Sequence, residues 1–141
     1  YTFAGMPIAT AGANAVVKYI IENDVVGMSA KNGEALLKKL KDALGDIPAV
    51  GDIRGIGMLA GVELVSDRES KAPFDPKLGI AGKIAAYCLD KGLLVLSGVT
   101  GTADGIIGDA LQISPALTMT PEEMDVAVAI LREAIISVTG A

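Results

Sequence analysis

Histidine and tryptophan are absent from this 141-residue sequence, and cysteine occurs once. Without histidine there is no Ser–His–Asp triad, no Cys–His nucleophile pair and no histidine-bearing zinc site. One cysteine cannot close an internal disulfide, which points to a reducing, cytoplasmic setting. Basic residues are the minority, 12 Lys+Arg against 17 Asp+Glu, for a net charge of −5. A phosphate-backbone partner needs a dense basic face, so no nucleic-acid partner is expected. No unbroken apolar run reaches the ~18 residues of a membrane span, so no membrane partner is expected either. The uncharged first 17 residues contain Pro7 and Asn14 and lack a basic leader, which makes a poor signal peptide. No Gly-Lys-Ser/Thr triplet occurs, which excludes a P-loop.

Apolar residues are abundant instead. They make up 51% of the chain, with a mean hydropathy of +0.50. That exceeds the usual share and excludes disorder. It also suggests apolar surface that something outside the chain must cover. The length suits one domain with a real core, burying about two-thirds of the unfolded surface. The sequence begins at Tyr1 rather than Met, so Tyr1 is not expected to be the start of the gene product.

Periodicity predicts the elements. Pro7 suits a first helical turn, and Ile8, Ala11, Ala15, Val16, Tyr19 and Ile20 recur at helical spacing. With no charge before Lys18, the start of this helix is expected to be buried on most sides. A second helix is predicted over 26–44, with Leu36, Leu37, Leu40 and Leu44 inward and Gly45 and Pro48 as its stop. Its lysines read as a solvated face. Two strand pieces follow, 50–54 and 58–64, broken by Gly55 and Gly57. Residues 66–77 read as a surface loop. A third helix is expected over 78–91, a strand over 93–96, a mobile glycine-rich loop over 97–109 and a strand over 110–114. Thr120-Pro121-Glu122-Glu123 signals the start of the last helix. The order predicts an α+β fold, a small and mostly antiparallel sheet with helices packed on one face.

The chemistry-bearing residues are sparse. Gly55-x-Gly57-x-x-x-Gly61 misses the dinucleotide fingerprint in spacing, and a strand follows where a helix is needed. The glycines read instead as a bulge or close packing. Cys88 lies on an apolar helix face with no base nearby and reads as buried filler. Asp52, Glu63, Asp75 and Asp109 are scattered singly. Arg54, beside glycine, has two readings: a carboxylate ligand, or a structural pair with an acid elsewhere.

Five stretches in order carry a resemblance. Tyr1-Thr2-Phe3-Ala4-Gly5-Met6-Pro7 resembles the H-T-[FY]-S-G-H-P segment of class III aminotransferases, pyridoxal-phosphate enzymes that include ω-transaminases and ornithine-type members. Residues 50–58 resemble their V-G-D-V-R-G-x-G-L segment, with Gly61 to Leu64 as the G-[VI]-E-L strand. Lys91-Gly92-Leu93-Leu94-Val95 is similar to R-G-L-L-V. Gln112 to Leu117 is similar to x-x-S-P-P-L, and Thr120 to Asp125 to T-x-E-E-[IL]-D. Order and spacing agree over the whole chain.

The resemblance implies the C-terminal small domain of a fold-type I pyridoxal 5'-phosphate enzyme. Residues 1–25 would be the end of the large cofactor domain with its connecting helix, and residues 26–141 the small domain. The implied function is amino-group transfer between an amine or ω-amino acid and a keto acid, in a homodimer with shared active sites. The Schiff-base lysine would lie upstream of Tyr1, so the chain alone is expected to be an inactive fragment. Thr2, with Phe3 beside it, would meet the cofactor phosphate of the neighbouring subunit. Leu96 stands where many members carry a substrate-binding arginine, and Gln112 where ornithine-type members carry one. The carboxylate clamp is therefore missing from this half, and arginine's role is not replaceable by either residue. Gln112 either hydrogen-bonds a substrate or satisfies strand-end backbone groups. Arg54 joins them as a candidate pocket residue. The contrasting expectation is a free-standing α+β module that binds a small ligand or dimerises without catalysis.

Overall fold

The computed structural model describes residues 4–98 and 108–141. Two helices come first, α1 over Pro7–Glu22 and α2 over Val25–Leu44. They are separated at Asp24, whose backbone lies in the left-handed region (φ 46°, ψ 46°). Aspartate tolerates that region better than most L-residues. Its carboxylate also accepts the Gly27 N–H at 3.3 Å, so the break caps the second helix. Along α2, Leu36, Leu40 and Leu44 are buried, as their spacing predicts.

β1 (Val50–Ile56) and β2 (Leu59–Leu64) form an antiparallel hairpin. Its two-residue turn places Gly57 at φ 52° while Met58 keeps a negative φ, the pattern of a II′ turn. Gly55 does not break β1, contrary to expectation; the ladder runs on to Ile56↔Leu59. The reason is space: a Cβ at Gly55 would lie 2.6 Å from the Leu59 carbonyl oxygen, so glycine lets the two strands close. A bulge falls at Gly51 instead, where Val50↔Leu64 and Asp52↔Glu63 leave one residue over.

The loop after β2 is tied by the Ser66 hydroxyl, which donates to the Ala72 and Pro73 carbonyls. It ends in a short 3-10 turn, Pro76–Leu78. Gly79, at φ 59°, separates this turn from α3 (Ile80–Asp90), so the third helix starts two residues later than expected. β3 is only Leu96–Ser97. Leu93 and Val95 pack into the core without a ladder partner, because the Leu93 N–H is taken by the Cys88 carbonyl at the end of α3. β4 covers Asp109–Ile113, and α4 covers Pro121–Thr139. Thr120 and Glu123 form the reciprocal capping box that opens α4.

The sheet order is β1-β2-β4-β3, with every pairing antiparallel. Inward residues Ile53, Ala60, Val62, Leu64 and Leu111 share one core with α2, α3 and α4. Each fully buried aliphatic side chain there contributes about 1.5–3 kcal/mol. The helices thus line one face of the sheet, as the sequence predicts. Gly33 of α2 is buried, and a Cβ there would overlap the Gly57 backbone. Helix and hairpin turn therefore meet backbone to backbone.

α1 differs from the rest. None of its residues is buried, and Ile8, Val16, Val17, Tyr19 and Ile21 all stand exposed. The cover its apolar surface calls for is not supplied by the described residues of this chain.

Candidate functional site

Strand register builds the site. Arg54 of β1 lies opposite Gly61 of β2, Gly61 opposite Gln112 of β4, and Gln112 opposite Leu96 of β3. Side chains alternate along a strand, so the four share the face turned away from the buried Ile53, Val62 and Leu111. With strands about 4.8 Å apart, the row is about 14 Å long. All three described candidate pocket residues, Arg54, Leu96 and Gln112, lie in it.

One end of this face is charged. Asp52 and Glu63 are cross-strand neighbours, and Arg54 Nη1 donates to both, at 2.7 Å to Asp52 Oδ2 and 2.8 Å to Glu63 Oε2. Glu63, then Asp52, pushes the Arg54 pKa up. The Arg54 hydrogen bond holds the Asp52 carboxyl below its ordinary value. Arg54 is thus engaged by acids of its own hairpin, and the three groups together carry one net negative charge. Asp52 and Glu63, read from sequence as isolated, are brought together here. Ile56 and Leu59 extend the face with exposed apolar surface toward the hairpin turn.

The other end is neutral. Leu96 is half-exposed. The Gln112 amide Nε2 lies 3.5 Å from the Ser114 hydroxyl oxygen, a loose tether that leaves the amide hydrogen-bonding capacity to spare. Beside them a cavity of about 210 Å³ runs between the β3–β4 edge, α2 and α4, with Leu36, Leu40, Leu96, Gln112, Ser114 and Met119 among its walls. It is apolar apart from Gln112 and Ser114, which suits the body of an uncharged group.

The remaining candidates serve the fold. Asp75 accepts from the Lys77 N–H, and Asp109 reaches 28 residues along the chain to accept from Ala81 N–H at 3.0 Å. Asp109 thereby caps α3, whose own N-cap is glycine. Lys38 pairs with Asp42 and Lys39 with Asp125, so those lysines are committed. Cys88 is buried, and burial alone pushes its thiol pKa up, as for filler. Among the described residues no cluster of acids or cysteine could hold a metal, and no helix is long and apolar enough to cross a membrane.

Thr2, Phe3 and residues 99–107 of the glycine-rich loop lie outside the described residues. The N-termini of α2, α3 and α4 are each occupied, by Asp24, Asp109 and Thr120. That of α1 has no side-chain cap and no acidic residue in its first turn. α1 begins at Pro7, four positions after Phe3 in the sequence, and an uncapped helix start presents N–H donors that suit one edge of a phosphate group. Sequence reading did not place Gly61 or Ser114 in the pocket; the register sets Gly61 between Arg54 and Gln112, and Ser114 meets Gln112 through its hydroxyl.

Comparison with known proteins identifies the family. Residues 1–135 match the family described as Aminotransferase class-III. An aminotransferase of Gibberella zeae is 39% identical over 141 residues, covering 99% of this chain and 27% of its own length. Diaminobutyrate–2-oxoglutarate transaminase of Halomonas elongata is 31% identical, covering all of this chain and 29% of its own. The crystal structure of a transaminase from the marine bacterium Virgibacillus superposes with a TM-score of 0.91 at 30% identity, over 99% of this chain and 30% of that one. The chain spans less than a third of the length of these relatives. It belongs to the class III aminotransferase family.

Proposed function

We propose that this chain is the C-terminal portion of a pyridoxal 5'-phosphate-dependent aminotransferase, moving an amino group between an amine or ω-amino acid and a keto acid. Residues 1–25 would close the large cofactor domain and connect it to the small domain of residues 26–141. The observation that carries the reading is the single transverse row of Arg54, Gly61, Gln112 and Leu96. It gathers the candidate pocket residues on one face, in a chain that matches the family over residues 1–135. That match favours the enzyme over a free-standing binding or dimerisation module.

The cofactor, when bound, supplies the electron sink for amine chemistry. This chain's part is to bind and orient. The Thr2 hydroxyl and the Phe3 backbone N–H, which precede α1 in the sequence, would donate to the cofactor phosphate of the neighbouring subunit in a homodimer. Gln112 offers a neutral amide to the substrate, and Leu96 an apolar wall. Arg54, held by two carboxylates, keeps the charged end of the face rigid rather than offering a free cation. A cytoplasmic location accords with the single buried thiol. The small-molecule partners are an amine and a keto acid.

The test is made on the full-length parent. It should bind pyridoxal phosphate, lose that cofactor's visible band on adding an amine donor, regain it with a keto acid, and sediment as a dimer. Thr2→Val should weaken cofactor binding by about tenfold or more, the worth of one hydrogen bond to a charged group. A parent that binds cofactor yet transfers no amino group from any amine or ω-amino acid would overturn the reading.

A further inference from the structure

The β1–β2 hairpin contains four glycines, and three have a reason inside the fold. A Cβ at Gly51 would lie 2.7 Å from Val65 Cγ1, and one at Gly55 2.6 Å from the Leu59 carbonyl oxygen. Gly57 occupies a positive-φ turn position. Gly61 has no such reason. It sits in mid-strand without a positive φ, and among the described residues a Cβ there would meet only the Leu111 carbonyl oxygen, at 3.9 Å, an ordinary contact. Glycine in a strand interior weakens the strand, and a β-branched residue would suit this pleated position better. The space it leaves open is on the outer face, directly between Arg54 and Gln112.

We propose that Gly61 is a specificity-determining position, the floor of a notch that admits a bulky uncharged substituent of the amine substrate. This rests on the reading of Gln112 and Leu96 as substrate-facing residues. A side chain at position 61 would stand about 5 Å from its cross-strand neighbours and close the gap between them. The flanking chemistry suits a neutral group. Arg54 is already shared by Asp52 and Glu63, Gln112 is an amide, and Leu96 is apolar. A substrate carboxylate would find no uncommitted positive charge among these side chains.

The experiment uses the full-length parent with Gly61→Ala and Gly61→Val, assayed with size-graded amines from n-propylamine to 1-phenylethylamine and pyruvate as acceptor. Cofactor content and Tm are measured alongside. The Val variant should keep its cofactor and a Tm no lower than the parent's. Its KM for 1-phenylethylamine should rise by about tenfold, with n-propylamine changed by less than about twofold and Ala intermediate. Equal effects on large and small amines, or none on either, would overturn the proposal while leaving the aminotransferase reading intact. So would a lowered Tm with lost cofactor, which would make position 61 purely structural. A parent inactive across the whole series removes the reading itself, and the proposal with it.

Discussion

Gly33 and Arg54 show two kinds of constraint on a single residue. At Gly33 the constraint is steric: any side chain collides with the backbone of the hairpin turn. Gly33→Ala should therefore lower stability by about 2–3 kcal/mol, as overpacking does, visible as a lowered urea midpoint. At Arg54 the constraint is electrostatic, and its sign follows from Asp52. The folded-state pKa of Asp52 is depressed by its hydrogen bond to Arg54. Its contribution is therefore complete above the ordinary value of 3.8 and lost as pH falls through the lowered folded value. Arg54→Gln should lose stability at neutral pH, with the difference from wild type shrinking below pH 3.8. A gap of constant size down the acid limb of the denaturation curve would contradict this. Both groups are largely solvent-exposed, so the effect is modest. Sequence alone left Arg54 with two readings, because its acids come from β1 and β2 at once. Only the Asp52↔Glu63 pairing chooses the structural one for its Nη1 group.

Helix ends in this chain are secured by two strategies, one local and one distant. α4 carries its cap in consecutive residues, and Thr120→Ala should cost about 1 kcal/mol by removing the hydroxyl half of the box. α3 borrows its cap from Asp109 at the start of β4. Asp109→Ala should cost about the same. Hydrogen exchange should also speed up at the first turn of α3, although the substitution lies 28 residues away. Unchanged exchange there would mean that water replaces the cap at no loss. This difference explains what was legible. The Thr-Pro-Glu-Glu signature and the leucine spacing of α2 are local, so both helices follow from sequence. The start of α3 is not local: Gly79 and a distant carboxylate set it, and the predicted helix ran two residues too early. β3 fails for a related reason. Leu93 to Leu96 has a strand's composition, but its backbone is claimed by the end of α3 before it reaches β4.

At the level of the whole molecule, the sheet order matters more than any element in it. β4 inserts beside β2, so residues 54, 61, 112 and 96 align across four strands. The three candidate pocket residues were found one motif at a time. That they share a line needed the register, because β4 returns from a distant part of the chain. The apolar surplus noted in the composition is also located now. Part of it lies on α1, with Ile8 83% and Ile21 73% exposed. Such a surface on a free molecule favours association. The 141-residue chain should therefore elute from size exclusion as a dimer or larger, and Ile8→Glu with Ile21→Lys should shift it toward monomer. An unsubstituted chain that stays monomeric at high concentration would count against an uncovered apolar helix. The break at Asp24 carries one more consequence. Sixteen residues of helix make a rigid rod about 24 Å long, pivoting on one left-handed residue. A turn of about 10° at that pivot would sweep the far end, at Pro7, through about 4 Å, more than a hydrogen bond's length. One aspartate's backbone angle thereby sets the aim of a lever.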